Sequence, residues 1–192
     1  MKKYLAVIAL VLLVIWGIYD ISSNKESNNM ETSLVGAEGN NELSVSSNSI
    51  GLGRGDLAPD FELKSLEDTA YKLSDFKGKN VIVNFWSTGC PPCRQEMPDM
   101  EKFYLKYKNE VEILAVNLVQ NEKRKADVPD FIKANNITFP VLLDEHSDAA
   151  RLYNVYWIPA SFILDSEGVI REKIEGPMTY EWLEKTLNTL NE

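Results

Sequence analysis

Cysteine and histidine are scarce in this chain. Its 192 residues include only two cysteines, Cys90 and Cys93, and one histidine, His146. A structural zinc site built from such residues needs four ligands, so the pair is at most half of one, and no metal site is expected. Two cysteines are also too few for a small secreted domain stapled by several disulfides. His146 is interpreted as a polar loop residue.

A surplus of basic residues is absent as well. The chain has 20 Lys and Arg against 29 Asp and Glu, and its formal net charge is −9. This balance, with no basic patch carrying interleaved aromatic residues, argues against nucleic-acid binding. No glycine-rich phosphate loop stands out, and no cofactor is expected. Apolar residues make up 44% of the chain, which is enough for the core of one domain.

The one long apolar run lies at the N-terminus. Lys2 and Lys3 precede residues 4–21, which as an α-helix would extend about 27 Å, close to the roughly 30 Å of a hydrocarbon core. The run has no small-residue cleavage site, which favours an uncleaved signal anchor over a cleaved signal peptide. No cysteine directly follows it, so a lipoprotein anchor is excluded. The two lysines would stay in the cytoplasm and place the rest of the chain outside the membrane.

A polar segment separates this predicted anchor from the folded part. Residues 22–50 are rich in Ser, Asn and Glu and contain no aromatic residue, which is typical of a flexible linker. A glycine-rich stretch follows it. We therefore predict an anchor over residues 1–21, a linker over residues 22–56, and a folded domain over residues 57–192.

The cysteine pair lies at a predicted strand-to-helix junction. Residues 81–86 are almost continuously apolar, which predicts a central strand, and the two prolines between the cysteines suit the first turn of a helix over residues 91–107. Cys90 would stand at the helix N-terminus, where free N–H groups and the helix dipole favour the thiolate that attacks a disulfide. Cys93, one turn later, would resolve the mixed disulfide. The pattern indicates a redox centre rather than a short staple or two inert cysteines.

The rest of the domain alternates strands and helices. Periodicity and turn residues predict a hairpin over residues 61–73, strands over residues 112–118, 139–143, 160–164 and 169–174, a helix over residues 128–135 capped by Asp127, a short helix through residue 153 capped by Ser147, and a last helix capped by Thr179. This order predicts an α/β fold with parallel strands, helices on both faces of the sheet and a final antiparallel hairpin.

The chain from about residue 57 to residue 190 resembles the thioredoxin superfamily, and within it the membrane-anchored TlpA/ResA-type thiol–disulfide oxidoreductases. The matching residues are the segment 84–93, Glu96, Pro98, and Ile158-Pro159 before a strand. The resemblance implies a thioredoxin-like fold, which is a three-layer arrangement around a mixed central sheet. It also implies an N-terminal hairpin and a central β-α insertion over residues 120–143.

The same resemblance implies a partner-binding groove. Cys90 and Cys93 would alternate between a dithiol and a redox disulfide, and Pro159 would follow a cis peptide bond and pack opposite them. In that arrangement Trp86, Ile158 and Pro159 would bind the substrate protein, and the backbone of Ile158 would pair with a strand of the partner. Without the resemblance, an ordinary trans proline would be the better prediction.

Asn84 departs from the thioredoxin pattern, because thioredoxin has an acidic residue at that position. Asparagine cannot accept a proton, so the role must lie elsewhere or be absent. Glu96 is the candidate, since it lies three residues after Cys93 and shares a helix face with it. The alternative is a solvated glutamate favoured by the helix dipole, and the sequence leaves both interpretations open.

Gly89 and Trp157 raise the question of how a partner is recognised. Relatives usually have Trp at the position of Gly89, so this chain lacks a flat surface beside Cys90. Ala160 stands where Thr is commoner. Trp157 is a candidate for the partner groove, although an aromatic residue before a core strand more often packs inside the domain.

These observations predict an enzyme, namely a monomeric, membrane-tethered and extracytoplasmic thiol–disulfide oxidoreductase that reduces disulfides in envelope proteins. The resemblance implies an integral membrane thiol donor as the electron source, and apocytochrome c or envelope proteins of sporulation as targets. Three alternatives remain open: an oxidant that forms disulfides, a peroxide-reducing relative, and a non-catalytic partner-binding module.

Overall fold

The computed structural model describes residues 49–190. The predicted anchor and residues 22–48 of the predicted linker lie outside the described residues, so the domain boundaries stay predictions. Among residues 49–190, every helix is too short or too polar to span a membrane.

The described part of the chain contains seven strands and four α-helices. In chain order they are β1 (Glu62–Ser65), β2 (Ala70–Lys72), β3 (Asn80–Trp86), α1 (Pro91–Tyr107), β4 (Val111–Asn117), α2 (Asp127–Asn135), β5 (Val141–Leu143), α3 (Asp148–Leu152), β6 (Ala160–Leu164), β7 (Ile170–Glu175) and α4 (Tyr180–Leu190). Short 3-10 segments cover Leu73–Phe76 and Val119–Asn121. The predicted order of elements is confirmed.

The strands form one mixed sheet in the order β2-β1-β5-β4-β3-β6-β7. β3 pairs in parallel with β4, and β4 pairs in parallel with β5, whereas the other pairings are antiparallel. β5 belongs to the predicted insertion and joins the N-terminal hairpin to the central strands. Because α1 follows β3 directly, the cysteine pair lies at the carboxyl end of a strand with neighbours on both sides.

Hydrophobic residues cover both faces of the sheet. Alternate residues of β3 belong to two separate core clusters, as the period of a strand requires. One cluster contains Ile82 together with buried side chains from α1, α2 and α4, and the other contains Val83 together with the alanines of α3. This confirms the predicted thioredoxin-like layering, and it makes β3 an inflexible base for the residues that follow it.

The helix caps agree only in part with the prediction. The hydroxyl of Thr179 accepts a hydrogen bond from the backbone of α4 at 3.3 Å, as expected. Ser147 makes no such bond. Instead the carboxylate of Asp144 accepts from the N–H groups of the first and third residues of α3, at 2.7 and 2.8 Å. Asp127 is the first residue of α2 rather than its cap, because its carboxylate pairs with the side chain of Arg124.

Candidate active site

The two cysteines form a disulfide at the start of α1. Cys90 is the N-terminal cap of the helix and Cys93 lies in its first turn. The backbone N–H of Cys93 donates to Sγ of Cys90 at 3.2 Å, so a free N–H of the helix end points at this sulfur. In the reduced state the same N–H and the helix dipole stabilise a thiolate at Cys90. Cys90 is 9% exposed and Cys93 is completely buried, so Cys90 is the less buried of the two cysteines.

The loop before β6 approaches the disulfide from another part of the chain. The peptide bond between Ile158 and Pro159 is cis, as the resemblance implied. The carbonyl oxygen of Ile158 lies 3.6 Å from Sγ of Cys90, a distance at which a reduced thiol could donate a weak hydrogen bond. Pro159 is buried and Ile158 is half-buried. The backbone of Ile158, part of the predicted groove, therefore lies next to the Sγ of Cys90.

Trp86 does not belong to an exposed groove. Its side chain is completely buried and packs against Phe131 of α2, with the ring centroids 5.4 Å apart. The prediction that Trp86 contacts a partner is therefore wrong for this structure. Trp86 is the last residue of β3 and faces the layer that contains α1 and α2, so its indole fills the core beneath the site.

Glu96 lies three residues after Cys93 in α1 and is buried, with 1% of its surface exposed. Its carboxylate accepts a hydrogen bond from the side-chain amide of Asn84 at 2.9 Å and another from the backbone N–H of Met178 at 3.0 Å. Burial raises the pKa of Glu96 to about 7, although the two hydrogen bonds lower it. The structure therefore excludes the solvated alternative. Near neutral pH this carboxyl group can either accept or release a proton.

Asn84 holds this carboxyl group in place. It is completely buried in β3, and its amide nitrogen donates both to Glu96 and to the hydroxyl of Ser161 on β6, at 2.9 Å each. Its side-chain oxygen has no hydrogen-bond partner among residues 49–190. Asn84 thus acts as a donor to a carboxylate, and the buried acid is supplied by the helix rather than by the strand.

Glu122 is a site residue that the sequence analysis missed. Its carboxylate accepts from the backbone N–H of Thr88 at 2.7 Å, from the hydroxyl of the same residue, and from the amide of Asn117 at 2.8 Å. These bonds attach the loop before Cys90 to the end of β4. One signal in the sequence could have found Glu122. It follows β4 closely, and the carboxyl ends of parallel neighbouring strands such as β3 and β4 lie at the same edge of a sheet.

The surface around the disulfide is open on the side of Gly89. A Cβ at this position would meet only the backbone oxygen of Asn121, at 3.9 Å, so no close packing requires glycine here. On the side of the cis peptide, Tyr156 and Trp157 are 82% and 77% exposed, and the expectation that Trp157 packs inside the domain is wrong. His146 is exposed in the loop before α3, as predicted for a polar loop residue.

The described residues include no group of three or more His, Cys, Asp or Glu side chains close enough together to hold a metal ion. The chemistry that the arrangement supports is thiol–disulfide exchange. It combines a cysteine with 9% of its surface exposed at a helix N-terminus, a completely buried second cysteine and a buried carboxyl group with a pKa of about 7.

Comparison with known proteins supports the same conclusion. A family model described as the AhpC/TSA family matches residues 54–173. The chain is 38% identical over 191 residues to the thioredoxin-like protein YneN of Bacillus subtilis, with 98% of each chain covered. It is 40% identical over 137 residues to the thiol-disulfide oxidoreductase ResA of Geobacillus kaustophilus. This match covers 71% of this chain and 77% of the ResA chain. The crystal structure of StoA from Bacillus subtilis superposes with a TM-score of 0.60 at 36% identity, over 70% of this chain and 97% of that one.

Proposed function

The chain belongs to the AhpC/TSA family, and from that membership and the geometry of its site we propose that it reduces disulfides of envelope proteins from the outer side of a membrane. It is a thiol–disulfide oxidoreductase with a thioredoxin-like fold, as the sequence predicted. The proposal adds the direction of the reaction, the location and the partners.

One observation carries the proposal. Cys90, at the start of a helix, has 9% of its surface exposed, whereas Cys93 is completely buried and is followed one turn later by the buried Glu96. Attack on a protein disulfide needs an accessible thiolate, and release of the product needs a second cysteine that loses its proton only at that stage. A carboxyl group with a pKa of about 7 suits that proton transfer, because it is partly ionised at neutral pH.

The proposed reaction has two exchange steps. The Cys90 thiolate attacks one sulfur of the partner disulfide, so that a mixed disulfide forms while the other partner sulfur leaves as a thiolate. Cys93 then gives its proton to Glu96 and attacks Sγ of Cys90, which forms the Cys90–Cys93 bond and breaks the mixed disulfide. The second partner sulfur also leaves as a thiolate, so the partner gains two electrons and ends as two thiols by taking one proton back from Glu96 and one from solvent. The enzyme loses two electrons and ends as the disulfide seen in this structure.

The location and partners follow from the same proposal. The apolar run over residues 4–21, with Lys2 and Lys3 before it, supports a single membrane anchor and an extracytoplasmic domain. Each turnover leaves the cysteine pair oxidised, so the enzyme needs a thiol donor, and an integral membrane protein is the donor we propose. Apocytochrome c and envelope proteins of sporulation are the proposed targets of a chain that acts as a monomer.

The reduction potential of the Cys90–Cys93 couple tests the proposed direction. The full-length protein in detergent would be equilibrated with dithiol buffers of known potential, and the fraction of disulfide measured by mass spectrometry after thiol trapping. We expect a thioredoxin-like value of about −270 mV. A value of about −120 mV would instead indicate an oxidant that forms disulfides.

The matched control for this titration is Cys93→Ser, which cannot form the couple. If the unmodified protein, like that control, formed no disulfide in the titration, the result would favour a non-catalytic binding module. Rapid oxidation of the reduced protein by hydrogen peroxide, faster than by a protein disulfide, would favour a peroxide-reducing enzyme.

A further inference from the structure

The two oxygens of the Glu96 carboxylate are held by hydrogen-bond donors from distant parts of the chain. Oε1 accepts from the side-chain amide of Asn84 at 2.9 Å, and Oε2 accepts from the backbone N–H of Met178 at 3.0 Å. Burial raises the pKa of Glu96, whereas the bond from Met178 and, to a smaller extent, the bond from Asn84 lower it. Both donors are uncharged, so the proton affinity of this group depends on how well they are aimed at it.

The donor at Oε2 belongs to the connection between β7 and α4. Gly176 has a φ of 127°, a backbone conformation that residues with a side chain rarely adopt. Pro177 has no N–H group and fixes its own φ. The N–H of Gly176 donates to the backbone oxygen of Pro159 at 2.9 Å, and the N–H of Met178 is left to donate to Glu96. The conformation of Gly176 therefore determines where the N–H of Met178 points.

The donor at Oε1 is aimed from β6. Asn84 pairs in register with Ser161, so the two side chains extend on the same face of the sheet. Ser161 is completely buried, and its hydroxyl accepts from the amide nitrogen of Asn84 at 2.9 Å. Because the amide oxygen has no partner among residues 49–190, the bonds to Glu96 and Ser161 determine which end of the amide faces the carboxylate.

Both of these supports end at the start of β6. The backbone oxygen of Pro159 holds Gly176, and the hydroxyl of Ser161 holds Asn84. One short segment therefore fixes the donors of both carboxylate oxygens. This matters for the proposed reaction, because Glu96 can accept a proton from a thiol only while its carboxyl group is ionised.

We propose that Gly176 and Ser161 are positioning residues for Glu96, and that each aims the donor of one carboxylate oxygen so that the group stays ready to take the proton of Cys93 at neutral pH. Without this support the carboxyl group keeps its own proton to a higher pH, and the second exchange step is slower. The inference rests on the proposed function and adds two residues to its proton-transfer step.

A pH titration of Glu96 in the oxidised full-length protein tests this inference. The protein would be prepared in detergent with glutamate carrying ¹³C at the side-chain carboxyl carbon, and the NMR signal of Glu96 is the one that E96Q lacks. The cysteines do not titrate in the disulfide state. We expect the midpoint to move up by about one pH unit in Gly176→Ala and by about half a unit in Ser161→Ala, because the bond from Met178 lowers the pKa more than the bond from Asn84.

Each variant has a matched control elsewhere in the domain. Gly78 has a φ of 95°, and a Cβ there, as at Gly176, would meet no atom within 4 Å, so Gly78→Ala introduces the same kind of backbone strain before β3. Ser65 is buried like Ser161, and its hydroxyl bonds to Glu67. We expect Gly78→Ala and Ser65→Ala to leave the titration of Glu96 unchanged, even where they lose as much stability as the test variants.

The rate of mixed-disulfide release provides a second measurement. The reduced protein would be mixed with the disulfide dimer of the peptide Ala-Ser-Cys-Ser-Ala across a pH series, and the mixed disulfide followed by acid quenching and mass spectrometry. In Gly176→Ala and Ser161→Ala the rise of the release rate with pH should move upward with the titration of Glu96. In the E96Q background neither change should shift the pH profile, because the group that they position no longer titrates.

The outcomes separate the inference from the function on which it rests. If Gly176→Ala and Ser161→Ala titrate like the unmodified protein and still reduce the peptide disulfide, the positioning role is wrong and the proposed function stands. Should the unmodified protein reduce no disulfide, the proposed function is rejected, and with it the part that these two residues have in its proton-transfer step.

Discussion

Cys93 and Glu96, in the first turns of α1, have almost no exposed surface, whereas Tyr156 and Trp157, in the loop before the cis peptide bond, are the most exposed large hydrophobic residues among residues 49–190. The buried region contains a network of polar groups that binds and releases a proton. The exposed region presents apolar surface. Burial raises the pKa of the carboxyl group of Glu96 to about 7, close to neutral pH.

Replacement of Cys93 by serine should have the largest effect on the reaction. The variant keeps the Cys90 thiolate but has no second sulfur to release the partner, so disulfide-bonded peptide should remain attached to Cys90. We expect turnover to fall to the background rate and one peptide to be bound per protein molecule, as measured by non-reducing mass spectrometry. Cys90→Ser is the control and should bind none. Release of peptide from C93S as fast as from the unmodified protein would contradict the assigned roles.

Replacement of Glu96 by glutamine tests the buried region through its pH dependence. The pKa of Glu96 is raised from 4.5 to about 7, so between these values the folded protein binds more protons than the unfolded chain. The free energy of unfolding should therefore fall by about 3 kcal/mol as the pH rises from about 4.5 to 7, and this group should add no further change above that range. Urea unfolding of the oxidised protein across this range measures the effect.

E96Q should lack that fall, because glutamine has no proton to release, and the two stability curves should diverge as the pH rises. In the reduced protein, the same change should slow release of the mixed disulfide and remove the rise of its rate near pH 7. Parallel stability curves and an unchanged pH profile would show that Glu96 does not titrate in this range.

Replacement of Glu122 by glutamine should have a smaller effect, which we expect on the stability of the loop before Cys90. The carboxylate accepts three hydrogen bonds that attach Thr88 and Asn117 to each other, and an amide would place N–H groups against some of these donors. We expect E122Q to lose about 2 kcal/mol of stability by urea unfolding, since hydrogen bonds to charged groups are among the stronger ones.

Glu145→Gln is the matched control for this change. Glu145 makes an exposed ion pair with Lys125, at 3.0 Å, and pairs of this kind contribute little. We expect no measurable change in its stability. Equal stability of E122Q and E145Q would mean that the loop before Cys90 does not depend on Glu122.

The elements around the active site were predicted well because their signals are local. The continuous apolar run over residues 81–86 and the prolines at the start of residues 91–107 lie in the strand and helix that they predict. Caps were less predictable, because a cap depends on which polar group is nearest in space. The carboxylate of Asp144 reaches the start of α3 from outside the helix, and Ser147 does not cap it.

Two tryptophans show where prediction from the sequence fails. Trp86 was expected in the partner groove and is buried, whereas Trp157, a groove candidate for which packing was the commoner expectation, is exposed. Trp86 is the last residue of an apolar strand and Trp157 lies shortly before one, so both are flanked by a strand signal in the sequence. The difference arises because α1 and α2 cover the end of β3, whereas the described residues bring no helix over the loop before β6.

The sequence by itself determined that two cysteines meet at the start of a helix, since that requires only neighbouring residues and the geometry of a helix end. The tertiary structure alone decided that Glu96 is buried between Asn84 and Met178, and that the carbonyl of Ile158 reaches Cys90. The physical reason is that the pKa of a carboxyl group and the exposure of an aromatic ring depend on the segments packed around them. Those segments are up to 82 residues away along the chain, so no local pattern contains them.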